Sequence, residues 1–302
     1  MTRCSGKMVC EGTNEHMTCS IVTNKAHFSR VEILSFIDPI CARCWGIEPL
    51  MKKFLAEYHR YFTLRYLLTT QHDTANRYRF CHAKAIAKEW DRYAQLTGTC
   101  CDSDIWYENP PSPYAIALAI KAAEFQGQNA GHRFLRRLRE KVFLCKEGLT
   151  TFDDFLQIAE QVGLSGIEFT SDFHSCRSVK AIQSDRRLAN ELAITELPSF
   201  VFSTPEGDNE AIKINGSYSY EVYVNLLTEL IGESLNAEPL PPLIDYFQTE
   251  RFLTTREAAV VYGQSEETML KTLRELQLQH LVEPVTVKSG TYWKYIDKTV
   301  HI

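Results

Sequence analysis

No apolar run in this chain reaches the about 18 residues that a membrane-spanning helix needs. The opening segment, MTRCSGKMVCEGTNEHMTCSIVTNKAHFSR, also lacks the continuous apolar core of a secretory signal. Both absences place the expectation in the cytoplasm, with no membrane partner. A surplus of positive charge is missing as well: the formal net charge is −5, and nucleic acid is therefore not an expected partner. Internal repeats and low-complexity tracts are absent. What is present is ordinary. Hydrophobic residues at 44% and charged residues at 24% argue against wholesale disorder or a coiled coil, and 302 residues suit about two domains of roughly 150 residues each. The 10 cysteines are scattered over a chain with an adequate core and no export signal, so most are expected to be free thiols and not a disulfide framework.

Periodicity then orders the chain. Val31–Ile37 (VEILSFI) is a short run rich in β-branched and aromatic residues and predicts a buried strand that Asp38-Pro39 ends. A helical pattern starts at Cys41 and Cys44 and runs through Trp45, Ile47, Leu50, Met51, Phe54 and Leu55; Pro49 in its interior predicts a kink. Phe62–Thr69 reads as a second strand parallel to the first. From about Ala75 to Ala193 the strand signal gives way to amphipathic helices, broken at Asn109–Pro113, Gly127 and Gly148. Thr150–Asp153 marks one helix start, with Asp153 and Asp154 suited to the positive end of its dipole. Pro198–Ser203 and Ala211–Ile214 predict an antiparallel strand pair, and Ser217–Ile231 a closing helix. A β-α-β unit, a helical insert and a β-β-α unit define an α/β, thioredoxin-like (DsbA-like) architecture with a large helical insertion.

The expected domain plan has four parts. Residues 1–29 form a flexible arm bearing Cys and His, 30–232 the thioredoxin-type domain, 233–243 a Pro-containing linker, and 244–302 a small α+β winged-helix-like domain. The last part reads helix, helix, helix, strand, strand, with a capped helix start at Thr254–Glu257, a second start at Ser265, and a hairpin around Ser289-Gly290. Such a fold invites DNA binding, but 244–302 holds seven Lys or Arg against eight Asp or Glu, and Glu266, Glu267 and Glu275 lie on the would-be recognition helix. Protein docking or packing is the preferred role.

Two cysteines three apart at a helix start have a specific logic, since backbone N–H groups and the helix dipole favour the thiolate of the first. Cys41 is the expected nucleophile and Cys44 the resolving thiol, with Arg43 adding positive charge. A C-x-x-C directly after a buried strand is the redox arrangement more than half a zinc site; two structural thiols, or a fold relic used as a surface, are the alternatives. Thioredoxin topology would set Pro198 beside the pair, its bond cis or trans. A strongly oxidising poise of about −120 mV against a cytosolic pool near −280 mV would leave the pair reduced by about 7 kcal/mol, so net oxidase work is not expected, while reductase or sensor roles stay open.

The stretch Phe36-Ile-Asp-Pro-Ile-Cys41-Ala-Arg-Cys44-Trp-Gly-Ile-Glu-Pro49 resembles the active-site segment of DsbA-like proteins and, more closely, of the SpxH family of ClpXP adapters. Ser112–Gly127, Gly216–Tyr223 and Gly290–Lys294 are similar to segments of that family in the same order. The resemblance implies an adapter that binds the transcription regulator Spx and promotes its degradation by the ClpXP protease, restraining the thiol-stress response. Where that family often has proline after the first cysteine and an acidic residue before the second, this chain has Ala42-Arg43. The resemblance also implies an amino-terminal stretch associated with zinc. Its candidate ligands here are Cys4, Cys10, His16 and Cys19, with His27 further off, although their spacings do not match the compact patterns of structural zinc sites. No cofactor is otherwise required.

Three remaining features carry ordinary expectations. Cys100-Cys101 should be two unbonded thiols, because adjacent cysteines close a strained ring. The basic stretch Arg133–Arg139 reads as a solvated helix face or a surface for an acidic patch, with Phe134, Leu135, Leu138 and Val142 at core spacing. Trp106 and Tyr107 are expected in the core beside the insertion.

Overall fold

The computed structural model describes residues 7–11, 18–22, 30–69, 83–204, 211–287 and 290–297. Strands β1 (Lys7–Glu11) and β2 (Thr18–Val22) pair antiparallel, with Cys10 opposite Cys19 in the backbone register. Cys4, His16 and His27 lie outside the described residues, as does 70–82, where the sequence predicts the insertion to begin.

The central sheet has the order β4-β3-β5-β6. β3 (Val31–Ile37) runs parallel to β4 (Phe62–Leu68) and antiparallel to β5 (Ser199–Ser203), which pairs antiparallel with β6 (Ile212–Asn215). Both faces of this sheet are covered, and β3 carries apolar residues toward both sides for that reason, with Glu32 and Ser35 among them. Val31 and Ile33 pack with Phe54, Tyr223 and Leu227 on one side, while Leu34 and Phe36 join the core of the helical insertion on the other.

The first helical pattern is two helices. α1 (Ala42–Gly46) ends at Ile47, and α2 (Glu48–Tyr58) begins with Pro49 in its first turn. The expected interior kink is therefore absent. A proline in a first turn lacks an N–H that no intrahelical carbonyl would have accepted, so the helix restarts there at little cost. α10 (Tyr220–Ile231) shares the face of the sheet with α2 and ends at Gly232, whose φ of 77° is the left-handed cap that glycine adopts freely.

Between β4 and β5 lie α3 (Ala83–Thr97), α4 (Ile105–Glu108), α5 (Pro113–Glu124), α6 (Gln128–Phe143), α7 (Phe152–Gln161), α8 (Gly166–Phe173) and α9 (Cys176–Glu191). Thr151 and Asp154 close a capping box on α7. Phe134, Leu135, Leu138 and Val142 are buried, as their spacing requires. The insertion is fastened to the sheet by polar groups as well: the Leu68 N–H donates to Asp185 at 2.8 Å, and Lys121 lies 2.6 Å from the same buried carboxylate.

Residues 233–242 carry no helix or strand but are not free of the first domain: the Glu238 N–H donates to the Glu57 carbonyl at 2.9 Å, and the Asn236 N–H to the Tyr61 hydroxyl at 3.1 Å. Then follow α11 (Leu243–Glu250), β7 (Phe252–Thr254), α12 (Thr255–Val261), α13 (Glu266–Leu278), β8 (Val282–Val287) and β9 (Gly290–Tyr295). The sheet is antiparallel, in the order β7-β9-β8. β7 is an addition to the expected order; at 3 residues it is too short for alternation to register. Phe247, Leu253, Val261, Met269, Leu273 and Trp293 form a small core, while Val285, Val287 and Tyr292 of the hairpin pack on the core of the insertion.

Candidate functional site

Strand β3 delivers the chain to a tight corner. The Ile40 N–H donates to the Asp38 carboxylate at 3.0 Å and the Cys41 N–H to the Asp38 carbonyl at 3.2 Å. Cys41 then occupies the cap position of α1 in extended conformation, with φ −81° and ψ 123°. Its side chain is half-buried, and Cys44, one turn on, is buried. Neither is in a disulfide. The Leu197-Pro198 bond is cis. Because Ser199 pairs with Phe36, Pro198 stands at the end of β3 from which the cysteine helix leaves, and its carbonyl accepts from Gly216 at 2.8 Å.

The two thiols are inequivalent. A hydrogen bond from the Cys44 thiol, helped by the N–H groups of Cys44 and Arg43, holds the Cys41 thiol below its ordinary value; burial and the Asp38 carboxylate oppose this and lose. Burial pushes the Cys44 thiol well up, and its hydrogen bond with Cys41 adds to the rise. Cys41 is thus the more readily ionised thiol and Cys44 its proton-bearing partner. The Arg43 guanidinium lies 5.6 Å from the Tyr93 ring centroid, and its contribution to the thiolate includes its backbone N–H. Trp45 fixes the helix, donating from Nε1 to the Cys100 carbonyl at 2.8 Å and stacking on Phe143 at 5.0 Å.

The basic stretch is where the structure departs furthest from the sequence reading. Arg139 is only 2% exposed. Its Nε donates to the Pro39 carbonyl at 3.1 Å and its Nη1 to Glu48 at 2.9 Å, so it sits directly behind the cysteine corner. Arg136 binds Glu257 of α12 through two contacts of 2.6 and 3.2 Å and Glu140 at 2.7 Å, and it covers the Trp45 ring at 5.0 Å. Arg137 lies over the Phe252 ring at 4.5 Å. Arg133 is exposed as expected, but from Arg136 to Arg139 the solvated face is instead an interior seam, because the carboxyl-terminal segment covers the side of α6 that the insertion leaves open. The spacing Arg136, Arg139, Glu140 beside Leu138 was the only signal, and it does not name the partners.

Other expectations divide. Cys100 and Cys101 are buried and in no disulfide, and the Cys101 thiol donates to the Trp90 carbonyl at 3.6 Å. Burial pushes the Cys100 thiol up to about 12, which makes it inert near neutrality. Trp106 is buried against Trp90 in an edge-to-face contact at 5.4 Å, whereas Tyr107 is 58% exposed and not in the core. Among the described residues no three His, Cys, Asp or Glu side chains gather as a metal site. No described helix is long and apolar enough to cross a membrane.

A strand leading into Cys41-x-x-Cys44, with a cis-proline opening the neighbouring strand, defines a thioredoxin-fold protein, and the thioredoxin family profile matches residues 34–225. Solved structures agree on the fold. A putative protein disulfide isomerase from Nitrosomonas europaea superposes with a TM-score of 0.54 at 15% identity, covering 67% of this chain and 96% of that one. The cytosolic disulfide reductase DsbM from Pseudomonas aeruginosa gives a TM-score of 0.51 at 18% identity, covering 67% and 95%. The whole chain is more specific than its fold: it belongs to the family of the ClpXP adapter protein SpxH. The Bacillus subtilis SpxH is 38% identical over 267 residues, 87% of this chain and 89% of the relative. The Bacillus cereus protein is 39% identical over 271 residues, 89% of this chain and 91% of the relative.

Proposed function

We propose that this protein is a cytoplasmic adapter that binds Spx and promotes its degradation by ClpXP. The observation that carries the reading is the extent of the SpxH likeness, which spans 89% of this chain, whereas the two disulfide-enzyme folds above cover 67% of it. A domain that a dithiol enzyme does not need is matched along with the one it does. The seam between the two supports the same reading, since Arg136 and Glu257 join them into one surface on which a client can be held.

A second reading, a thiol-disulfide oxidoreductase or redox sensor, is favoured by the lowered Cys41 thiol beside a protonated Cys44. One set of reactions separates the two. In a reconstituted system of ClpX, ClpP, Spx and ATP, this protein accelerates loss of Spx at catalytic amounts, while insulin reduction with a recycling reductant stays near background. No acceleration together with brisk insulin turnover selects the enzyme reading instead.

A further inference from the structure

Between α2, α6 and the corner from α11 to β7 lies a cleft of about 950 Å³, within the size range of small-molecule sites, roughly 300–1,000 Å³. Leu55, Leu135, Val162 and Phe252 give it apolar walls. Its carboxylates are all engaged: Glu48 by Arg139 and Arg136, Glu140 by Arg136 and Arg137, and Glu250 by Lys52.

Arg139 and His132 both line the cleft, and each keeps one buried nitrogen without a hydrogen-bond partner, Nη2 of Arg139 and Nε2 of His132. The Arg139 guanidinium is held rigidly by its other two nitrogens, on Pro39 and Glu48, so its remaining N–H edge is fixed in place. A buried donor on a charged group left unpaired costs more than the about 1–3 kcal/mol of a neutral one, and a carboxylate is the acceptor whose shape and charge suit a guanidinium edge. His132, seven residues earlier on the same helix face, packs edge-on to Tyr66 at 4.9 Å. Exposed Arg133 adds a further cation at the rim that no carboxylate in the cleft pairs.

We propose that this interdomain cleft binds a small amphipathic organic acid, its carboxylate on Arg139 Nη2 and its apolar body along Leu55, Val162 and Phe252. The proposal does not rest on the adapter reading, although Arg139 also braces the cysteine corner through the Pro39 carbonyl. His132 is the internal reporter: burial depresses its pKa to about 4 while Glu48 works against that, and a second carboxylate in the same cleft pushes the titration upward.

The test uses the full-length protein with octanoate as the probe, followed by calorimetry and by the ¹³C signal of the His132 ring. Saturable octanoate binding is expected, with octanol at least about tenfold weaker, a His132 titration that moves up on saturation, and Arg139→Gln weakening octanoate by about tenfold or more, ~1.4 kcal/mol. Three results overturn the proposal: octanol binding as tightly as octanoate, inorganic phosphate displacing octanoate at equal concentration, or a folded Arg139→Gln variant binding like the parent. If Arg139→Gln does not fold, the parent protein decides, and an unmoved His132 titration at saturating octanoate sinks the idea.

Discussion

Arg136 of the helical insertion and Glu257 of the carboxyl-terminal domain form a two-contact ion pair, at 2.6 and 3.2 Å, with Glu257 1% exposed. The same carboxylate accepts the Thr254 N–H at 2.8 Å and so caps α12. One side chain therefore starts a helix and joins two domains. A buried pair of this kind adds little over an apolar contact, but breaking it strands a charge, which costs about 3–5 kcal/mol.

Glu257→Ala is accordingly expected to lose about 3 kcal/mol or more of stability, including roughly 1 kcal/mol from the cap. The double variant Arg136→Met/Glu257→Leu is expected to lose less than the single one. Urea unfolding of the three proteins checks both statements. A double variant that loses as much as Glu257→Ala, or more, excludes the coupling. The pH dependence has a defined sign. Burial works against the Glu257 carboxylate, yet Arg136 and Lys52 outweigh it and hold the group below its ordinary value. A depressed acid contributes stability that is complete above the unfolded value of about 4.3 and is lost as pH falls through the lower folded one. Thermal unfolding below about pH 4 should thus weaken the parent more steeply than Glu257→Gln.

At the cysteine corner, brief alkylation at pH 7 followed by peptide mapping should label Cys41 and spare Cys44, given the opposite directions of their shifts. Asp38 raises the Cys41 thiol by its negative charge while accepting from the Ile40 N–H. Asp38→Asn keeps the acceptor and removes the charge, so the Cys41 alkylation profile should move to lower pH, with a rate at pH 7 roughly threefold higher. An unchanged or upward-shifted profile contradicts this account.

Gly290 opens β9 at φ 155°, and a Cβ there would stand 2.5 Å from the Cys100 sulfur. Gly290→Ala should cost about 1–3 kcal/mol through overpacking and backbone strain. Adding Cys100→Ala should recover part of the loss in calorimetry, since it removes the clash and leaves the strain. Full additivity of the two losses would show that the hairpin does not rest on Cys100.

Cys41→Ser/Cys44→Ser is expected to retain acceleration of Spx degradation within about twofold, because recognition on the adapter reading rests on surface shape across two domains. The measurement is the reconstituted degradation rate, with circular dichroism as the folding control. Loss of activity in a folded double variant assigns the thiols a role in recognition.

The local features of this protein were written in its sequence. The strand Val31–Ile37, the cysteines at a helix start, the cap at Thr254–Glu257 and the end of α10 at Gly232 follow from periodicity and from chemistry that acts within a few residues. Pro49 shows the limit even there. Its position allowed a kink or a fresh start, and the short α1 ending at Ile47 chose the second.

Tertiary structure decided what the charges do. Arg133–Arg139 read as a solvated stripe, because nothing local to α6 says that Glu48, 91 residues before Arg139, and Glu257, 121 residues after Arg136, will meet it. Pairing in a seam depends on which surfaces are dehydrated together, and that is set by how the carboxyl-terminal domain docks on the insertion. The difference between the two thiols was shared between the levels: the place at a helix start already set Cys41 apart as the nucleophile, while the burial that pushes the Cys44 thiol up came from packing.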